Sequence, residues 1–186
     1  MEKRSSCELK LPPEIKLDPI PDDKTLNNML DSGEIDVLIA ARNPSCFVQG
    51  SPKVRRLFPN YKEVEVDYYK RTKIFPIMHA IVIRKEIYER HPWTARSLYK
   101  AFCEAKDRAI DTLNIANPLP YTLPWLIPER ELLRDLFGPD WWPYGIQANR
   151  HVLEALIRYM GEQGLLAKPL VVEDLFAPNV IGEFKV

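Results

Sequence analysis

The apolar and polar positions of this chain fall into two kinds of pattern. Residues 35–41 (Ile-Asp-Val-Leu-Ile-Ala-Ala) form an almost unbroken apolar run with one acid, Asp36, near its start and Arg42 at its end. A run this short and this apolar predicts a strand covered on both faces. Ala80-Ile81-Val82-Ile83 is a second strand-like run, entered through Arg71-Thr72-Lys73-Ile74-Phe75-Pro76-Ile77-Met78-His79. Residues 15–20 alternate apolar with polar side chains, the signature of an edge strand, and the segment 64–69 follows a proline-punctuated loop.

Helical spacing accounts for the rest. Asp22-Asp23 is placed to cap a short helix through Leu26, Met29 and Leu30, stopped by Gly33. Pro92 suits the first turn of a helix reaching about Leu113, with Ala95, Leu98, Phe102, Ala105 and Ala109 recurring at three- and four-residue intervals. Residues 128–137 read as a helix ended by Gly138. Residues 147–160 read as another, with Val152, Leu153, Leu156, Ile157 and Met160 on its buried face. A last short helix covers residues 172–176, and residues 118–128 form an extended proline- and aromatic-bearing connector. No internal repeat is visible. Strands alternating with helices predict an α/β sheet.

Composition narrows the setting. The 186 residues suffice for one large domain or two small lobes, and 46% hydrophobic content belongs to a folded chain. Lys plus Arg and Asp plus Glu both number 26, so no net field gathers nucleic acid or an anionic membrane. No apolar run is long enough to span a bilayer. The opening Met1-Glu2-Lys3-Arg4-Ser5-Ser6 lacks the apolar core of a secretory signal. Cys7, Cys46 and Cys103 are odd in number and without metal-ligand spacing, as expected of reduced thiols in a cytoplasm. Seventeen prolines against seven glycines cluster between elements and stiffen the connections.

Four places carry candidate chemistry. Arg42 ends the first strand-like run, where an open α/β sheet faces its ligand crevice; with Ser45 it reads as a carboxylate receiver or as an ordinary surface arginine. His79 reads as a proton donor near neutral pH or as a hydrogen-bonded core histidine. His91 and His151 read as structural. Trp141-Trp142-Pro143-Tyr144-Gly145 leads into a helix bearing Asn149 and Arg150, and serves either to sandwich a planar ring or to plug the domain. Cys46 reads as a nucleophile only if His79 lies nearby; without any cysteine-hydrolase signature around it, the buried thiol is the safer reading. Neither a glycine-rich phosphate loop nor a zinc-type cluster is present in the sequence.

Several segments together resemble the 4,5-dihydroxyphthalate decarboxylase family. They are Gly33 through Arg42, Pro44-Ser45-Cys46-Phe47, Arg71-Thr72 with Ile74 through His79, His91-Pro92-Trp93, and Ala95-Arg96-Ser97-Leu98-Tyr99-Lys100-Ala101-Phe102. The order continues through Trp142-Pro143-Tyr144-Gly145, Asn149-Arg150 and Glu162-Gln163-Gly164-Leu165 to Leu175-Phe176-Ala177. The resemblance implies a type 2 periplasmic-binding-protein-like α/β fold, present here as the second lobe plus the C-terminal part of the first. Residues 1–74 would be a second-lobe segment, and 75–186 a hinge strand with a helical part returning to the first lobe. Family members are longer at the N-terminus, so Met1 would fall where the second lobe is already under way.

The implied activity is a cofactor-free, non-oxidative decarboxylation of 4,5-dihydroxyphthalate, or a similar hydroxylated aromatic dicarboxylate, to 3,4-dihydroxybenzoate and carbon dioxide. Arg42 would bind carboxylate with Arg71 and Ser45, His79 would donate the proton, and Tyr144, Asn149 and Arg150 would face the ring and its hydroxyls. The expected partner is the small aromatic carboxylate, with neither nucleic acid nor membrane; a homo-oligomer is compatible with the sequence. Two rival readings stand beside this one: a solute-binding or sensor module for a small carboxylate, and a lobe without independent activity.

Overall fold

The computed structural model describes residues 11–114 and 121–182, and these are mostly helical with no strand among them. Cys7 and residues 118–120 of the connector lie outside the described residues. The chain divides into two compact units, 12–67 and 68 onward.

In the unit 12–67, helix α1 (Leu26–Ser32) begins at Thr25, whose hydroxyl accepts the Asn28 amide at 3.2 Å. Thr25 therefore takes the capping role expected of Asp22-Asp23. Gly33 ends the helix in the left-handed region at φ 82°, where its missing Cβ removes the steric cost, and its amide donates back to Leu30. Helix α2 (Ser45–Val48) is tied to α1 through the Cys46 amide, which donates to Asn27 Oδ1 at 2.9 Å, and Ser51 Oγ donates to Asp31 at 2.6 Å. Arg56 lies over the rings of Phe47 and Tyr61 at 5.2 and 4.8 Å.

Helix α3 (Tyr61–Thr72) takes in residues 64–69. Glu63 in its first turn and Lys70 and Arg71 in its last match the sign of the helix dipole at each end. It stops at a local device. Thr72 Oγ1 donates to the Tyr68 carbonyl at 2.8 Å and accepts the Ile74 amide at 3.1 Å, while Lys73 adopts φ 58°.

From residue 68 onward the core lies between α7 (Ile146–Glu162) and a 3₁₀ turn, Val172–Leu175. Ile146, Leu153 and Val172 are buried there, with Ile157, Phe176 and Ile181 against them. Helix α5 (Trp93–Asn114) is preceded by α4 (Lys85–Arg90), and both are pinned by the 3₁₀ turn Pro178–Val180. Asn179 donates to the Pro92 carbonyl at 2.7 Å and accepts from the Tyr88 hydroxyl at 3.3 Å. Helix α6 (Leu126–Phe137) carries Arg130, which donates to the Leu113 carbonyl at the end of α5.

The helices at 93–114, 126–137, 146–162 and 172–175 match the spacing in the sequence. The strands do not appear: 15–20, 35–41 and 80–83 are irregular, with Ile39 96% and Val82 89% exposed. The described residues are mostly helical, and the α/β sheet expected from the sequence is not shown among them. A helix satisfies its own amides and carbonyls, whereas a strand needs a neighbour to supply them, and among the described residues none pairs with these runs. The buried stripe of α5 also differs. Ala95 and Cys103 are buried, with Tyr99, Lys106 and Ile110 partly so, while Leu98 and Phe102 on the expected face remain exposed. On α7, Leu156 is likewise exposed rather than buried. No described helix is long and apolar enough to cross a membrane.

Candidate functional site

The candidate residues divide between the two units. In the unit 12–67, Arg42 is exposed in a bend just past the apolar run. Ser45 opens α2, also exposed, and the neighbouring Cys46 is buried as a free thiol. Among the described residues Arg42 has no ion-pair partner, so its two-pronged donor edge is open to a carboxylate.

In the other unit, the stretch 73–79 is fixed at its base and open at its far end. The Lys73 carbonyl lies 2.7 Å from His151 Nε2; a carbonyl can only accept, so Nε2 carries the hydrogen. Phe75 meets Phe137 edge-on at 5.5 Å and Trp142 at 5.8 Å, and Tyr69 packs on Phe137 at 4.3 Å. Beyond this clasp Met78 and His79 are exposed. Arg71 stands in the last turn of α3, 6.0 Å from the Tyr68 ring. His151 thus has the structural role expected of it, and His91 forms the C-cap of α4, 6.2 Å from Trp93.

The aromatic loop before α7 is held from both sides. Asn149 Nδ2 donates to the carbonyls of Pro143 and Gly145 at 2.9 and 2.8 Å, so both of its amide hydrogens hold the loop. Tyr144 covers the ammonium of Lys106 at 5.3 Å, and Lys106 reaches both oxygens of Asp140 at 3.0 Å. Next to them Tyr99 is pushed up to about 12, first by burial and then by its hydrogen bond with Cys103, with Asp140 adding to the effect. Arg150 pairs with Glu173 and Glu154, which holds Glu173 below and Arg150 above their ordinary values.

These contacts are laid along a sequence with close relatives of known name. The chain is 37% identical to a 4,5-dihydroxyphthalate decarboxylase of Comamonas testosteroni over 178 residues, 96% of this chain and 54% of the relative. A second protein of that name, from Pseudomonas putida, is 44% identical over 62 residues, 33% of this chain and 24% of its own length. The chain is a homologue of 4,5-dihydroxyphthalate decarboxylase. No family model matches it. It spans about half the length of the first of these curated relatives.

In this decarboxylase homologue Tyr144 stands in the loop before α7, and Asn149, which holds that loop, is followed directly by Arg150 near the start of the helix. No hydrogen bond among the described residues joins His79 to any of the three. An open groove of about 360 Å³ beside Arg150 is lined by Ile157, Leu170 and Val172 but also by Glu154 and Glu173. Two carboxylates at its rim repel a dicarboxylate dianion, and Arg150 is already engaged by both. That groove is therefore a poor receptacle for the substrate named in the relatives. The described residues contain no cluster of ligating side chains able to hold a metal ion.

Sequence reasoning missed the Tyr99, Cys103, Lys106 and Asp140 group. Its helical half was legible, because 99, 103 and 106 lie at four- and three-residue spacing on one face of α5. The contribution of Asp140, 34 residues from Lys106, was not.

Proposed function

We propose that the polypeptide to which these residues belong decarboxylates 4,5-dihydroxyphthalate, or a closely similar hydroxylated aromatic dicarboxylate, to 3,4-dihydroxybenzoate and carbon dioxide. The observation that carries this reading is the 37% identity over 96% of the chain to a relative of that name. Each carboxyl-bearing carbon of that substrate is para to one hydroxyl, whose electron donation makes the carbon basic. A proton added there interrupts the aromatic system. The bond to the carboxylate then breaks, carbon dioxide leaves, and the bonding pair returns to the ring. Atoms balance with one proton taken up per carbon dioxide released, so no electron sink is required.

Within this reading Arg42 receives a carboxylate, helped by Ser45 and Arg71, and His79 supplies the proton to the ring carbon. The exposure of both groups supports these roles, because each has room to meet a ligand. Tyr144 and Asn149 line the ring side, with Asn149 acting through the loop it holds. Arg150 acts with Glu173. The two-lobed α/β arrangement, with residues 1–74 in one lobe and 75–186 as hinge and return, belongs to the same proposal. A soluble compartment such as the cytoplasm fits the composition.

The test is release of carbon dioxide from 4,5-dihydroxyphthalate by the chain, alone and together with the portion of the Comamonas relative that it does not match. His79→Ala should lower kcat at least a hundredfold, the usual contribution of a positioned general acid. Arg42→Ala should mainly raise KM through lost ground-state binding. Full turnover by His79→Ala would remove the proton-donor role. Tight binding of the dicarboxylate with no carbon dioxide released in either format would replace the enzyme with a carboxylate-binding module.

A further inference from the structure

Residues 74–83 (Ile-Phe-Pro-Ile-Met-His-Ala-Ile-Val-Ile) carry no permanent charge, yet they lie on the surface. Ile77 is 41% exposed, Met78 71%, Ile81 66% and Val82 89%. In an extended chain successive side chains point to opposite faces, so exposed neighbours such as Ile81 and Val82 leave apolar surface on both sides. Free sheet edges are ordinarily guarded by lysine, proline or inward-pointing charge. Here Lys73 and Arg84 stand only at the two ends, and Pro76 precedes the β-branched part. A run built this way has the composition of a central strand without its neighbours rather than that of a free edge.

The run is also held ready. His151 fixes the Lys73 carbonyl, Phe75 is clasped by Phe137 and Trp142, and α4 begins at Lys85. Seven residues, 77–83, would reach about 23 Å when extended, an ordinary strand length. Quite separately, 35–41 in the other unit shows the same character, with Val37 59% and Ile39 96% exposed.

We infer that residues 77–83 are a docking strand, and that their occupant is the part of the decarboxylase polypeptide with no counterpart in these 186 residues. The relative that matches almost all of this chain is nearly twice as long, so each copy of the matched region has one such part beside it. A second copy of the chain fits less well. Two such strips paired with each other make a two-stranded ribbon whose faces stay bare, which is marginal in water. A larger body adds backbone partners along the strand and covers apolar side chains such as Ile81 and Val82 on its two faces. This inference rests on the family relationship and not on the proposed chemistry.

The test co-expresses the 186-residue chain, carrying an affinity tag, with the unmatched portion of the Comamonas relative. The expected result is a one-to-one complex by size-exclusion chromatography with light scattering. Amide exchange at 77–83 should slow at least tenfold in the complex relative to the chain alone. Val82→Pro, which deletes a ladder donor, should cut co-purification of the partner at least tenfold, with the helical circular dichroism of the chain unchanged. Val82→Thr, which keeps the β-branch and the amide, should retain it. The inference is overturned if no complex forms, if the amides at 77–83 exchange as fast in the complex as without it, or if Val82→Pro binds as wild type. It is also overturned if the chain alone dimerises through these amides and the partner leaves their protection unchanged. Turnover enters none of these measurements, so an inactive complex counts against the proposed chemistry alone.

Discussion

Gly145 is the position where one added carbon should reveal how the aromatic loop is built. It precedes α7 with φ 93° and ψ 160°, a backbone region that is essentially glycine-only. A Cβ there would lie 2.7 Å from the Tyr99 hydroxyl oxygen and 3.6 Å from the nearest Tyr99 ring carbon. Gly145→Ala therefore meets two separate costs. Holding alanine in this region costs about 1–3 kcal/mol. Displacing the half-buried phenol, which is hydrogen-bonded with Cys103, costs on the order of 1 kcal/mol more. Reduced freedom of the unfolded chain returns about 0.4–1 kcal/mol. The net is a destabilisation of about 1–3.5 kcal/mol, or roughly 2–14 °C in Tm for a chain of this size. Thermal melting followed by near-ultraviolet circular dichroism reads it out, with Trp141 and Trp142 in the same loop as reporters. A double-mutant cycle separates the two costs. Tyr99→Phe removes the clashing oxygen and leaves an ordinary carbon contact, so Gly145→Ala should cost about 1 kcal/mol less in that background. An unchanged Tm in Gly145→Ala would refute the backbone argument. Equal penalties in the two backgrounds would refute the steric one.

Two further outcomes follow from the same unit. The Tyr99 phenol titrates near 10 when unfolded and near 12 when folded, so its proton contributes stability that is complete below pH 10 and lost as the pH rises towards 12. Urea midpoints measured between pH 9 and 11.5 should fall more steeply for wild type than for Tyr99→Phe; parallel curves would show that the phenol is not coupled to folding. Val172, 2% exposed against Ile146 and Leu153, should cost about 2 kcal/mol on truncation to alanine, from lost burial and the cavity left behind. A Tm within 1 °C of wild type for Val172→Ala would mean that the small core does not hold this unit together.

The local signals in the sequence determined the helices. Gly33 and Gly138 stop α1 and α6, Pro92 precedes α5, and Val152, Leu153, Ile157 and Met160 turn one side of α7 inward, because capping, proline geometry and 3.6-residue spacing act within a few residues. The segments that carry the family resemblance were legible for the same reason that homology is: side chains recur in order whether or not they touch. Burial was another matter. Leu98 and Phe102 lie on an apolar stripe of α5 and yet face solvent, while Tyr99, Cys103 and Lys106 turn toward Asp140 and Tyr144 from distant parts of the chain. Which face of an amphipathic helix is covered depends on what arrives to cover it. The strand-like runs 35–41 and 80–83 show the limit most plainly. Their composition states what they can become, but a strand exists only through hydrogen bonds to another segment. Only the tertiary structure could decide that, and it leaves Ile39 and Val82 bare because among the described residues nothing lies alongside them.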